Sequence, residues 1–332
     1  MELQSYVNSY GYTFLGSLLV VFNLPVLVVA SCSKELRNQY GVLILSLFNA
    51  LLCGAVSVAY GVQRLILYST GNQDALVTLS ECLYNPVTFL LIWTFTLTGL
   101  GLLMDSIDRL LVITYPITYF LHNSTIVVVL NTTACVLNAC IIFFAYFQTL
   151  HREPDVMVGV LCNHKEIFSE DIFIFLVSTR TCFAMVAIVL MCVVLLLLNR
   201  YHKTTAKQTF LTDAKIRRFR ARQIGYTKTM LVSCVATILV FILPSAFAIV
   251  ARVTDMPRQV TTWTRFITFF NSFNIAILII YRQKDIRCRL FRIINLVLRK
   301  NVLQASAIET TGTDELPRIR SPGRPITAKG FI

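Results

Sequence analysis

Seven apolar stretches, each long enough to cross a bilayer as a helix, constrain this chain more than any other feature. They fall at roughly 11–31, 40–63, 87–113, 124–147, 172–199, 228–251 and 262–281. A spanning helix needs about 20 mostly apolar residues to match a hydrocarbon core about 30 Å thick. Lipid offers the backbone no hydrogen bonds, so such a stretch satisfies its own N–H and C=O groups as a helix. Charged residues make up only 14% of the chain, against about 25% in soluble domains. A soluble fold of this length could not bury so much apolar surface. The predicted fold class is an all-α membrane protein: a seven-transmembrane helix bundle over residues 11–281, with residues 1–10 as a short extracellular segment. No gap between stretches is long enough to fold alone.

The first ten residues contain no Lys or Arg, which a cleavable leader needs in its n-region. The first stretch is therefore read as the first helix of the bundle. Orientation follows from the basic residues. With the N-terminus outside, 23 of the 30 Lys and Arg fall in inner segments, six fall in outer ones, and Arg180 lies within the fifth stretch. The expected localisation is thus the plasma membrane, multi-pass, N-terminus out and C-terminus cytoplasmic. The same split explains the net charge of +13 without nucleic acid. Anionic lipid of the inner leaflet is the expected counterpart.

Two inner segments carry most of that charge. The third inner loop holds Lys215-Ile216-Arg217-Arg218-Phe219-Arg220-Ala221-Arg222. It is open to two readings: a solvated helix extension, or a surface for anionic lipid or an acidic partner. Residues 282–300 alternate Arg with Ile, Leu and Phe, the pattern of a short amphipathic helix lying along the membrane. Residues 301–332 are rich in Pro, Gly, Thr and Arg and are expected to be a disordered cytoplasmic tail. Cys288 is a candidate for palmitoylation, with an unmodified thiol as the alternative.

In this topology the sequon at Asn123 lies in a cytoplasmic loop and that at Asn131 in the fourth helix, so neither is expected to carry glycan. Seven of the ten cysteines lie within apolar helices, where Cys is usually a small packing residue. Cys82 and Cys162 instead face the oxidising side. A Cys82–Cys162 disulfide is expected, since no other outer pair exists; two unpaired loop thiols are the alternative.

At the inner end of the third stretch stands Asp108-Arg109-Leu110. Ionisable groups at membrane depth are costly and are functional candidates by default. Asp105 lies one turn before Arg109, so an Asp105–Arg109 pair is geometrically available. From Ala214 to Thr254 there is no Asp or Glu, so the sixth stretch cannot supply an acid to Arg109. The expected restraint on Arg109 therefore comes from contacts within its own helix and from packing, with raised basal output as the consequence.

Several motifs occur in a telling order. Asn23 stands alone in the first stretch, followed by Pro25. The second carries Leu45-Ser46-Leu47-Phe48-Asn49, and the third ends Asp108-Arg109-Leu110, continuing Val112-Ile113-Thr114-Tyr115-Pro116. The sixth holds Phe241-Ile242-Leu243-Pro244, and the seventh Asn271-Ser272-Phe273-Asn274-Ile275-Ala276. Over residues 10–300 this set resembles the rhodopsin-like (class A) G-protein-coupled receptors, in a divergent form similar to the nematode chemoreceptor families. Asn49 replaces that family's aspartate, the tryptophans of the fourth and sixth helices are missing, and the seventh motif is shortened and lacks its proline.

The resemblance implies a receptor that binds an extracellular ligand and activates a heterotrimeric G protein. It assigns coupling and activation to Asp105, Asp108, Arg109, Leu110 and Pro116, and a helix switch to Asn23, Asn49, Pro244, Asn271 and Asn274. The asparagines can also simply hydrogen-bond across helices. Asn49 is neutral, which favours a switch over a sodium site, so no metal or cofactor is expected. Pro244 removes one backbone bond and kinks its helix.

The ligand pocket is expected between the third, fifth, sixth and seventh helices, lined by Thr88, Leu91, Ile92, Phe95, Arg180 and Phe269. Leu91 holds the place of the monoamine receptors' aspartate, which argues against an amine salt link. No Lys lies between Thr262 and Tyr281, which excludes a retinal Schiff base. Arg180 either snorkels to the interface or serves as counter-ion to an acidic ligand group. The competing class is a seven-helix transporter or channel, but the internal repeat common in transporters is absent. An enzyme is not expected: the four His lie in loops or at helix ends, and no nucleophile motif stands out.

Overall fold

The computed structural model describes residues 2–32, 37, 41–72, 74–152, 156–205, 232, 234–254, 258–282, 287, 288, 290, 291 and 295. Its long helices are α1 (Glu2–Cys32), α2 (Gly41–Ser69), α4 (Pro86–Thr114), α5 (Pro116–Arg152), α7 (Glu170–Thr205), α8 (Leu243–Val253) and α9 (Arg258–Arg282). Short α3 (Leu79–Tyr84), α6 (His164–Ile167) and strands β1 (Leu76–Thr78) and β2 (Met157–Gly159) lie between them. A π-helical turn, Ile238–Ile242, runs directly into α8. Six of the described helices are long and apolar enough to cross a membrane, the last of them Cys234–Ala251. The chain is an all-α, multi-pass membrane protein.

Local chemistry sets the ends of α4. Asn85 Oδ1 accepts the Val87 N–H at 2.9 Å, and Pro86 follows in the first turn, where its missing N–H costs nothing. At the other end Pro116 disfavours helical geometry in the residue before it, and Tyr115 leaves the helix at φ −128°. Helix α5 then restarts at Pro116 but kinks at His122 (φ −113°, ψ 19°), so a short turn over 116–121 precedes the long apolar run.

The bundle closes on itself. Helix α4 packs against α2, α5 and α7; α1 packs against α2 and α9; α9 packs against α8, and α8 against α7. The α1–α2 seam is held close by small residues: a Cβ on Gly16 would lie 2.6 Å from the Gly54 carbonyl oxygen. Such close backbone approach is how helices associate where lipid removes the hydrophobic drive between them. Outside, Val21, Phe22, Val128, Val129, Phe143, Val189 and Leu196 are exposed, which is the side-chain character that acyl chains solvate.

Residues 2–10 form the first turns of α1, with Tyr6 5.1 Å from Tyr68 of α2, ring centre to ring centre, and Ser9 fully buried. Hydropathy ends a stretch at the lipid boundary, whereas a helix continues wherever a neighbour gives its side chains contacts. In the expected amphipathic segment 282–300, the described residues 282, 287, 288, 290, 291 and 295 are helical, and Leu290 is buried against the bundle. The third inner loop over 206–231 and the tail 301–332 lie outside the described residues.

Candidate functional site

At one end of the bundle, Cys82 in α3 is joined to Cys162 after β2 (S–S 1.99 Å). The disulfide ties a small antiparallel β1–β2 ribbon, Val77 opposite Val158, to the head of α4. Cys162 adopts φ 45°, a left-handed conformation uncommon in residues other than glycine. Arg64 of α2 secures the loop from below. Its guanidinium donates to Tyr60 Oη and to Asn163 Oδ1, both at 2.5 Å, and to the Leu161 carbonyl at 3.2 Å, with its charge over the Tyr60 ring. Arg64 is 8% exposed. Hydropathy alone reads it as one more basic residue at a membrane edge.

Beneath this loop a cleft with about 740 Å³ of empty space, its open mouth included, runs between α4, α7, α8 and α9. Helix α4 contributes Ile92, Phe95 and Thr96; α7 contributes Phe173, Leu176, Val177 and Arg180. Helix α8 adds Pro244 and Ala248, α9 adds Thr264 and Thr268, and the loop lowers His164 and Phe168 into it. Of the six pocket residues expected from sequence, Ile92, Phe95 and Arg180 line the cleft.

The other three do not line it. Leu91 and Phe269, each 1% exposed, belong to a buried cluster with Tyr12, Tyr60 and Phe273 behind the cleft wall. Thr88 is also 1% exposed and away from the lining. A helix turns about 100° per residue, so Leu91 and Ile92 look in different directions, and a position count cannot choose between them. His164 and Phe168 were missed because a loop's fold over a pocket leaves no periodic trace.

The Arg180 guanidinium lies 5.6 Å from the Phe95 ring centre and 5.5 Å from that of Phe241. It donates to Ser245 Oγ at 3.5 Å. Its position is well inside the bundle, ten residues or about 15 Å along α7 from Glu170. Its side chain lines the cleft.

Midway along the bundle, Asn23, Ser46, Asn49 and Asn271 line a second, smaller space. Asn49 Nδ2 donates to the Thr94 carbonyl at 3.0 Å and to Thr98 Oγ1 at 3.1 Å. Asn23 Nδ2 bonds within its own helix, to the Leu19 carbonyl. The Oδ1 atoms of both are buried without a hydrogen-bond partner among the described residues. Thr237 Oγ1 donates to Asn271 Oδ1 at 2.9 Å and accepts from Asn274 Nδ2 at 3.5 Å. Thr237 stands just before the π turn, a residue that motif reading passed over.

At the end opposite the disulfide, Asp108 accepts from the Arg109 guanidinium and from Tyr119 Oη at 2.6 Å. Each of the three is 1–2% exposed. Asp105 takes a 2.9 Å hydrogen bond from Ser46 Oγ of α2. The hydrogen bonds of these two aspartates are thus not confined to one helix: Tyr119 reaches in from the short turn that Pro116 begins, and Ser46 from α2. Leu110 and Pro116 are partly buried beside this cluster.

Cys288 is exposed in a helical turn. Asn131 is half-buried, with Nδ2 donating to the Gly41 carbonyl at 3.3 Å. Among the described residues no group of three or more His, Cys, Asp or Glu is placed to hold a metal ion. No protein-family model matches the chain, and no curated protein matches it.

Proposed function

We propose that the chain is a seven-helix receptor coupled to a heterotrimeric G protein, in which α9 is the seventh span. In this reading the disulfide end faces outside and binds a ligand, and the Asp108–Arg109 end faces the cytoplasm at the plasma membrane. The observation that carries it is the placement of three features in one closed bundle. A loop-covered cleft lies at one end, a buried Asp108–Arg109–Tyr119 cluster at the other, and a polar core with a π turn and Pro244 lies between. Pro244 lines the cleft, while Thr237 on the other side of the π turn bonds to Asn271. Ligand in the cleft therefore bears on the segment whose shift would reach the far end, as two-state helix packing requires. π turns inside α-helices occur frequently at functional sites.

The test is expression of the full chain with a promiscuous G protein, screened against small molecules and peptides, alongside an ion and solute flux assay. The expected result is a dose-dependent G-protein signal that Arg109→Ala abolishes at unchanged surface expression. Flux without any G-protein response overturns the reading in favour of a transporter or channel.

A further inference from the structure

We infer that the polar space midway along the bundle binds a water molecule, rather than a metal cation, and that this water joins α1, α2 and α9. The first observation is a pair of acceptors. Asn23 Nδ2 donates to the Leu19 carbonyl, and Asn49 Nδ2 donates to the Thr94 carbonyl and to Thr98 Oγ1. A carbonyl oxygen only accepts, so each amide nitrogen is fixed on that side and each Oδ1 on the other. Both Oδ1 atoms are buried without a hydrogen-bond partner among the described residues. Both side chains are fully or almost fully buried, and both line the space. Stranding a buried acceptor is costly, and native interiors satisfy such groups with protein or ordered water.

The second observation is which donors the lining has already committed. Ser46 Oγ donates to Asp105 at 2.9 Å, and Thr98 Oγ1 donates to the Thr94 carbonyl at 2.8 Å. Neither hydroxyl proton is left for Asn23 or Asn49. A water brings two O–H donors, one for each Oδ1. Asn271 of α9 also lines the space. Its Oδ1 takes the Thr237 hydroxyl, which leaves its amide N–H group to donate to the water oxygen. Two bonds given and one taken match the usual count for a buried water, about three. The space has room for a water and little more. A cation suits the same atoms poorly. No Asp or Glu is among the described residues lining the space, and the Asn271 N–H group would repel it. The water ties the segment before the π turn, through Thr237 and Asn271, to the α1–α2 pair.

The experiment places the full chain in lipid nanodiscs and uses X-ray radiolysis, which turns bound water into hydroxyl radicals that oxidise the side chains beside it. Oxidation is read residue by residue by mass spectrometry. Leu47 and Leu97 line the space, whereas Leu19 and Leu100 do not; all four are buried. The expected result is oxidation of Leu47 and Leu97 several-fold faster than that of Leu19 and Leu100. Asn23→Leu removes one acceptor at similar volume and brings Leu47 and Leu97 down to the rate of the other two. Thermal stability in sodium chloride is expected to equal that in choline chloride at the same ionic strength. Equal oxidation of all four leucines in wild type, oxidation unchanged in Asn23→Leu, or a sodium-specific gain in stability overturns the inference. Where Asn23→Leu does not fold, the wild-type oxidation and the salt comparison decide it. None of these readouts involves a G protein, so the outcome is separate from that of the receptor reading.

Discussion

Asp108 holds two donors at once, and that pairing decides what single substitutions do at this end of the bundle. A hydrogen bond to a charged group contributes about 1.5–3 kcal/mol. Removing one partner of a buried ion pair costs more, roughly 3–5 kcal/mol, because the other charge is stranded. Tyr119→Phe deletes one bond and leaves the Arg109 pair intact. Asp108→Asn weakens both. Basal G-protein output should therefore rise several-fold in Tyr119→Phe and further in Asp108→Asn, measured at matched surface expression. Basal output equal to wild type in both removes the cluster as a restraint. Asp105→Asn still accepts from Ser46 through its amide oxygen, so its effect should be the smaller of the two Asp substitutions. The aspartates and arginine are visible in sequence as ions at membrane depth. Tyr119 is not, because a tyrosine near a helix start is ordinary until the kink at His122 folds it inward.

Elements carry two further expectations. The loop over the cleft is fixed by the Cys82–Cys162 bond across 80 residues of sequence and by the Arg64 clamp. Removing a native disulfide typically costs about 2–5 kcal/mol, so the Cys82→Ser/Cys162→Ser double variant should lose thermal stability by several degrees or more. Arg64→Gln should leave the disulfide formed but loosen the loop, read as faster proteolysis between residues 156 and 169 and weaker ligand binding. Proteolysis and binding equal to wild type would show that the clamp does not position the loop. Pro244 and the π turn act on the other side. Pro244→Ala restores a backbone donor and should lower maximal ligand response while binding persists, since the cleft lining loses only part of one ring. The proline was legible as a break in the backbone hydrogen bonding. The π turn before it was not, because Ile238–Ile242 is an unremarkable apolar run whose extra residue per turn is set by its neighbours, with Thr237 reaching Asn271.

For the whole molecule, the apolar stretches located the long helices to within a few residues over their apolar parts. That part of the fold follows from lipid acting as the solvent. The pocket was legible only as a region, because which side of α4 faces the cleft depends on α7 and α9 packing against it. If the N-terminus is outside, an N-terminal epitope tag is stained on intact cells and a C-terminal tag only after permeabilisation. Neither sequon then gains glycan, and glycosidase treatment leaves gel mobility unchanged. A mobility shift mapped to Asn123 reverses the orientation. In the proposed receptor, the buried Asp108–Arg109–Tyr119 cluster is a switch read by a G protein. Its most direct test is guanine-nucleotide exchange by purified G-protein heterotrimers of each class, with the full chain in lipid nanodiscs and no ligand added. Exchange above the receptor-free rate is expected for at least one class, raised further by Asp108→Asn and abolished by Arg109→Ala. Exchange at the receptor-free rate for every class, in wild type and Asp108→Asn alike, contradicts it.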